Sequence, residues 1–122
     1  MSLVLVVDDD DDIREMLSFL LEDMGHTVVT ASQGKEALSA LRRGPRPDLV
    51  ILDLMMPVMS GWELREQMLR DPAIASIPTI VVSGDRSDSE RDESLHAVAT
   101  MTKPFEADKL LSLLAQIQLG QG

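Results

Sequence analysis

Short β-branched apolar runs alternate along the chain with longer stretches in which apolar residues recur every three or four positions. That alternation predicts a parallel sheet wrapped by helices. The runs Leu3 to Val7, Thr27 to Ala31, Leu49 to Leu52 and Thr79 to Val82 read as strands, with Val98 to Met101 as a weaker fifth. Four of the five are nearly continuous in apolar residues, as strands buried on both faces should be. Between them, Ile13, Met16, Leu17, Leu20, Leu21 and Met24 form one stripe that stops at Gly25, which predicts a first helix. Ala37, Leu38 and Leu41 support a second from Gly34 to Arg43, ended by Gly44-Pro45. A third runs from about Trp62 to Arg70 and stops at Asp71-Pro72. The last, Glu106 to about Gln118, places Leu110, Leu111, Leu114 and Ile117 on one side. The stretch from Asp85 to Glu93 holds no apolar residue, and only Leu95 offers an anchor before the fifth strand. A short, loosely docked helix is expected there.

With 122 residues the chain has the size of one compact domain, and neither a repeat nor a linker divides it. One domain over 1–122 is expected, ordered from Leu3 to about Leu119. Zero cysteines exclude a disulfide scaffold and any Cys-based zinc or iron-sulfur site. The only aromatics are Phe19, Trp62 and Phe105, which leaves the core to aliphatic residues and methionine; Met16, Met24 and Met68 sit at core spacing. The net charge of -10 argues against a nucleic-acid or anionic-membrane partner. No apolar run is long enough to cross a bilayer, and Leu3 to Val7 is too short for a signal peptide and lacks a basic flank. A cytoplasmic location is expected.

Charge also marks where chemistry could sit. In an open parallel α/β sheet, ligands collect outside the carboxyl ends of the strands. The first strand is followed by Asp8, Asp9, Asp10, Asp11 and Asp12, the third by Asp53, the fourth by Ser83-Gly84, and the fifth by Lys103-Pro104-Phe105. Neighbouring strands lie about 4.8 Å apart, so pairing of the first and third would bring Asp8 or Asp9 close to Asp53. Converging carboxylates repel, and their pKa values rise unless a cation sits among them. Hard oxygen ligands with room for water suit Mg²⁺. Within the aspartate run, Asp11 or Asp12 is expected to cap the first helix, and Asp10 has no assigned role.

Other chemistries fit less well. Asp8, Asp10 and Asp12 alternate as in a calcium loop, but an EF-hand needs Gly and an acid where Ile13 and Phe19 stand. A haloacid-dehalogenase-type phosphatase would need a longer chain and a Thr or Val in place of Asp12. Nucleotide-binding fingerprints are missing, since Gly34-Lys35-Glu36 is no substitute for a Walker A loop. Neither His26 nor His96 falls in a motif.

Four segments together resemble the signature blocks of response-regulator receiver domains of two-component signalling: Val6-Val7-Asp8-Asp9-Asp10; Leu52-Asp53-Leu54-Met55-Met56-Pro57 with Gly61 following; Pro78-Thr79-Ile80-Val81-Val82-Ser83; and Thr102-Lys103-Pro104-Phe105. They stand in the family's order, and the resemblance runs from Leu3 to about Leu119. It implies a flavodoxin-like (βα)5 three-layer sandwich with strand order 2-1-3-4-5. It also implies that Asp53 is the phosphoacceptor, and that Asp8, Asp9, Asp53 and the Met55 carbonyl hold Mg²⁺ or Mn²⁺. Lys103 and Ser83 would contact the phosphoryl oxygens, and the Lys103-Pro104 bond would be cis. Such a domain is a phosphorylation-regulated switch that promotes its own phosphorylation and dephosphorylation. Its partner would be a sensor histidine kinase or a histidine phosphotransfer protein, with a phosphorylation-dependent homodimer as one output.

Two features depart from the family. The switch position three residues before the lysine is usually aromatic and here is Thr100, and Lys103 follows Ser83 by only twenty positions. These favour an alternative, a degenerate receiver that acts as a phosphorylation-independent protein-protein interaction module. The intact acid pair, Asp53, Ser83 and Lys103 oppose it.

Overall fold

The computed structural model describes residues 2–84 and 95–117. Five strands, β1 (Leu3–Val7), β2 (Thr27–Ala31), β3 (Leu49–Asp53), β4 (Thr79–Ser83) and β5 (Ala99–Thr102), form one parallel sheet in the order β2-β1-β3-β4-β5. Four helices accompany them among the described residues: α1 (Asp11–Asp23), α2 (Gly34–Arg43), α3 (Gly61–Arg70) and α4 (Ala107–Gln116). This is the flavodoxin-like arrangement. The helix expected over 85–93 lies outside the described residues.

Side chains alternate across the pleat, so each buried strand feeds two cores. Leu5, Val7, Val50 and Leu52 pack against α2 and α3 through Ala37, Leu38, Leu41, Leu64 and Met68. Val4, Val6, Leu49, Ile51, Ile80 and Val82 pack against α1 and α4 through Leu17, Leu21, Leu110 and Leu114. Continuous apolar runs are required in β1, β3 and β4 for this reason, and β3 and β4 are buried at every position. β2 departs from the expectation of two-sided burial: only Ala31 is buried, because β2 is an edge strand.

β3, β4 and β5 each end one residue later than their apolar runs predict. Strand pairing continues through Asp53 opposite Val82 and Ser83 opposite Thr102, because the ladder depends on backbone groups and not on side-chain polarity. The cap of α1 also differs from expectation. It is Asp10, whose carboxylate accepts from the Asp12 and Ile13 amides, and not Asp11 or Asp12. Met68 is buried as expected, but Met16 and Met24 are exposed. Met24 is the C-cap of α1, and Met16 flanks an open apolar groove with Ile13, Pro104 and Phe105.

Candidate acidic site at the carboxyl end of the sheet

The strand order makes β1 and β3 neighbours, with Val7 opposite Leu52. The residues that follow in each strand therefore emerge side by side at the same edge. Asp8 continues the ladder by donating its amide to the Ala31 carbonyl at 3.1 Å, and the Leu54 amide does the same to Val82 at 3.0 Å. Asp8 and Asp53 are each only 2% exposed, whereas Asp9 is exposed. One carboxylate oxygen from each of the three lies within 4.8 Å of the others.

Lys103 reaches this group from β5. Its amide donates to the Ser83 carbonyl at 2.7 Å, which carries the β4–β5 pairing one step past the strands. Its Nζ lies 3.1 Å from Asp8 Oδ2 and 3.2 Å from Asp53 Oδ2. The Lys103–Pro104 peptide is cis. Burial pulls the Lys103 ammonium down, but its bond to Asp8 and the charges of Asp53 and Asp8 outweigh this and hold it above its ordinary value. Asp53 moves the other way. Burial and then the charge of Asp8 push its carboxyl up to about 6, against the opposing pull of the Met55 amide and Lys103.

The loop after β3 is held close by α3. The Met55 amide donates to Asp53 Oδ1 at 3.1 Å, and the Gly61 amide to the Leu54 carbonyl at 2.9 Å. A Cβ on Gly61 would stand 2.3 Å from the Asp53 carbonyl oxygen, so only glycine lets α3 begin this near the site. Ser60 caps α3 through a reciprocal capping box with Glu63. Val58, in the same loop, is 97% exposed and has φ 67°, an unusual conformation for a β-branched residue.

Asp8, Asp9, Asp53 and Lys103 thus converge as the sequence led one to expect. Ser83 is buried at the end of β4, Met55 is exposed beside Asp53, and Thr100 is exposed on β5. Two arginines carry structural weight beyond the residues that the motifs single out. Arg14 of α1 donates to the Asp8 carbonyl at 2.7 Å. Arg65 of α3 is 2% exposed and donates to the Leu95 carbonyl at 2.8 Å, Thr79 Oγ1 at 3.0 Å and the His96 carbonyl at 3.4 Å. The signal for Arg65 was its place beside Leu64 and Met68, where a helix facing the sheet would ordinarily carry another apolar residue.

Among the described residues, three carboxylates face one ammonium, which leaves this group short of positive charge. Two of the acids are buried, and hard oxygen donors at this spacing suit a divalent cation coordinated partly by water. The donor set therefore fits Mg²⁺ or Mn²⁺.

A parallel sheet of this order with an acid trio and a lysine at its carboxyl edge defines the receiver class of signalling domains. The response regulator receiver domain family matches residues 4–115, and the chain belongs to that family. Among its relatives, the alkaline phosphatase synthesis transcriptional regulatory protein PhoP of Bacillus subtilis is 36% identical over 102 residues, 84% of this chain and 42% of PhoP. The chain thus spans less than half of that regulator. Chemotaxis protein CheY4 of Vibrio cholerae superposes with a TM-score of 0.88 at 32% identity, over 97% of this chain and 99% of CheY4. Response regulator TrrA of Thermotoga maritima, solved in complex with Mg²⁺-BeF, superposes with a TM-score of 0.83 at 32% identity, over 95% and 98% of the two chains. No helix among the described residues is long and apolar enough to cross a membrane.

Proposed function

We propose that the chain is a single receiver unit that accepts a phosphoryl group on Asp53 from the phosphohistidine of a sensor kinase or histidine phosphotransfer protein. The observation that carries this reading is the state of Asp53: it is the last residue of β3, buried, raised to about 6, and bonded to Lys103 beside Asp8 and Asp9. Mg²⁺ or Mn²⁺ would be held by the Asp8, Asp9 and Asp53 carboxylates and the Met55 carbonyl. When bound, the cation neutralises charge on the carboxylates and on the phosphoryl oxygens. The Mg²⁺-BeF complex of TrrA supports this metal choice.

The protein's own groups serve mainly to position and to balance charge. An Asp53 carboxylate oxygen forms the new P–O bond as the donor's P–N bond breaks, and the departing imidazole nitrogen takes a proton. Burial raises the free energy of the Asp53 anion, which favours sharing its charge with an electrophile. Lys103, tethered to β4 through its own amide, stands ready to exchange its contact with Asp53 for one with a phosphoryl oxygen. Ser83 lies one residue beyond the Asp53 partner in β4, where its hydroxyl would donate to the same group. Later attack by water on the acyl phosphate returns Asp53 and phosphate, so the signal is temporary.

The departure at Thr100, exposed on β5, favours a second reading as a phosphorylation-independent interaction module. One experiment separates the two. Incubation with acetyl phosphate and Mg²⁺ should add a single phosphoryl group by intact mass, and Asp53→Asn should add none. An unmodified wild-type chain supports the interaction module; labelling that persists in Asp53→Asn refutes the assignment of the acceptor.

A further inference from the structure

The three acids are not held alike. Asp8 is fixed from every side: its amide by the Ala31 carbonyl, its Oδ1 by the Asp10 amide at 2.9 Å, its Oδ2 by Lys103, and its carbonyl by Arg14. Asp53 is fixed by the Met55 amide and Lys103. The Asp9 carboxylate is exposed and has neither a hydrogen bond nor an ion pair among the described residues. Its direction must come from its backbone, and the first element of that backbone is the Asp8–Asp9 peptide.

Arg14 grips that peptide. A helical side chain leans toward the helix N-terminus, so an arginine in the first turn of α1 reaches back over the cap. Nη1 of Arg14 donates to the Asp8 carbonyl at 2.7 Å, and Nη2 pairs with Asp11 Oδ1. One rigid guanidinium therefore spans the turn from Asp8 to Asp11. The Arg14 amide, bonded to the Asp10 carbonyl at 3.1 Å, ties the same turn to the helix. The planar fork makes this possible, since a lysine ammonium lacks the fixed pair of donors that would match both acceptors.

We propose that Arg14 is a positioning residue for the cation site, setting the plane of the Asp8–Asp9 peptide so that the Asp9 carboxylate faces Asp53. This rests on the reading that Asp8, Asp9 and Asp53 hold the divalent ion. Charge alone would act in the opposite direction, because a guanidinium near a cation site repels the cation. The two effects therefore predict opposite signs for the loss of Arg14, and the affinity decides between them.

The test is Mn²⁺ binding to the full chain, followed by the paramagnetic resonance of free Mn²⁺ well below the melting temperature, for wild type, Arg14→Lys and Arg14→Met. Outer-sphere partners of metal ligands typically contribute about 10–100-fold in affinity. Arg14→Met should weaken binding about tenfold or more, and Arg14→Lys, which keeps the charge but not the fork, by roughly threefold on the same grounds. The Asp9 amide resonance should also move in metal-free Arg14→Lys. Wild-type affinity in Arg14→Lys, or tighter binding by Arg14→Met, overturns the proposal, and the lysine variant decides alone if the methionine variant does not fold. Failure of the wild type to bind Mn²⁺ is a different result, which removes the metal reading itself and this inference with it.

Discussion

Asp53 combines the two properties that a reactive carboxylate needs, burial and a charged neighbourhood, and they leave a thermodynamic mark. Its folded value of about 6 lies above the ordinary 3.8. The folded chain thus holds this proton more tightly than the unfolded chain does, so ionisation of Asp53 costs stability. The contribution is most favourable below 3.8, declines as pH rises toward 6, and is constant above that. Two pKa units correspond to at most about 3 kcal/mol. In the absence of divalent cations, Asp53→Asn should therefore be more stable than wild type at pH 7.5 by on the order of 1–3 kcal/mol. The difference should shrink as pH falls to 4, as urea denaturation at each pH will measure; a constant difference would mean that Asp53 is not held in the way described. This residue, with Asp8, Asp9 and Lys103, was legible in the sequence because each stands within two positions of the end of an apolar run, and topology does the rest. The role of Asp10 was not, since five consecutive aspartates look equivalent until the first helical turn shows which one faces the free amides.

Elements were legible to the degree that burial imposed a pattern on them. β1, β3 and β4 announce themselves because both faces are covered, whereas β2 carries the same valines and lies at the sheet edge, a distinction set by strand order that a single run cannot express. Arg65 shows the converse. It occupies a core position of α3 yet serves the backbone, satisfying the Leu95 and His96 carbonyls while Trp62, one turn earlier, packs against Leu54, Val81 and Leu95. Burial holds its guanidinium below the ordinary arginine value, and Thr79 Oγ1 passes the hydrogen-bond chain on to the Ile77 carbonyl at 3.1 Å. Truncation to Ala would leave two carbonyls and a hydroxyl short of partners and open a cavity. Arg65→Ala should therefore lose about 2–4 kcal/mol of stability, while Arg65→Met, which refills the volume, should lose less. Chemical denaturation would show the order, and equal losses would mean that the cavity has little part in the cost. Because Arg65 bonds to Thr79 at the start of β4 and to the Leu95 and His96 carbonyls ahead of β5, far along both strands from Ser83 and Lys103, phosphoryl acceptance by the folded variants should persist.

At the scale of the molecule, the net charge of -10 sets a general repulsion, but Asp8 and Asp53 concentrate it where water cannot screen it well. Added salt acts on the first and a bound ion on the second, and the two can be told apart. Ligation to the folded state alone stabilises by RT ln(1 + [L]/Kd), about 1.4 kcal/mol at ten times the dissociation constant. For a chain of this size that corresponds to a rise in Tm of roughly 3–7 °C. Millimolar Mg²⁺ should produce such a rise in wild type, whereas sodium chloride at equal ionic strength should produce much less. Asp9→Asn removes one of the proposed ligands while keeping the shape of the side chain and leaves the buried pair of Asp8 and Asp53 in place, so it should blunt the Mg²⁺ response without abolishing the fold. If magnesium and sodium chloride raised Tm equally, or if Asp9→Asn responded as wild type does, the stabilisation would belong to diffuse screening and not to one ion held among residues that β1 and β3 bring together from distant parts of the chain.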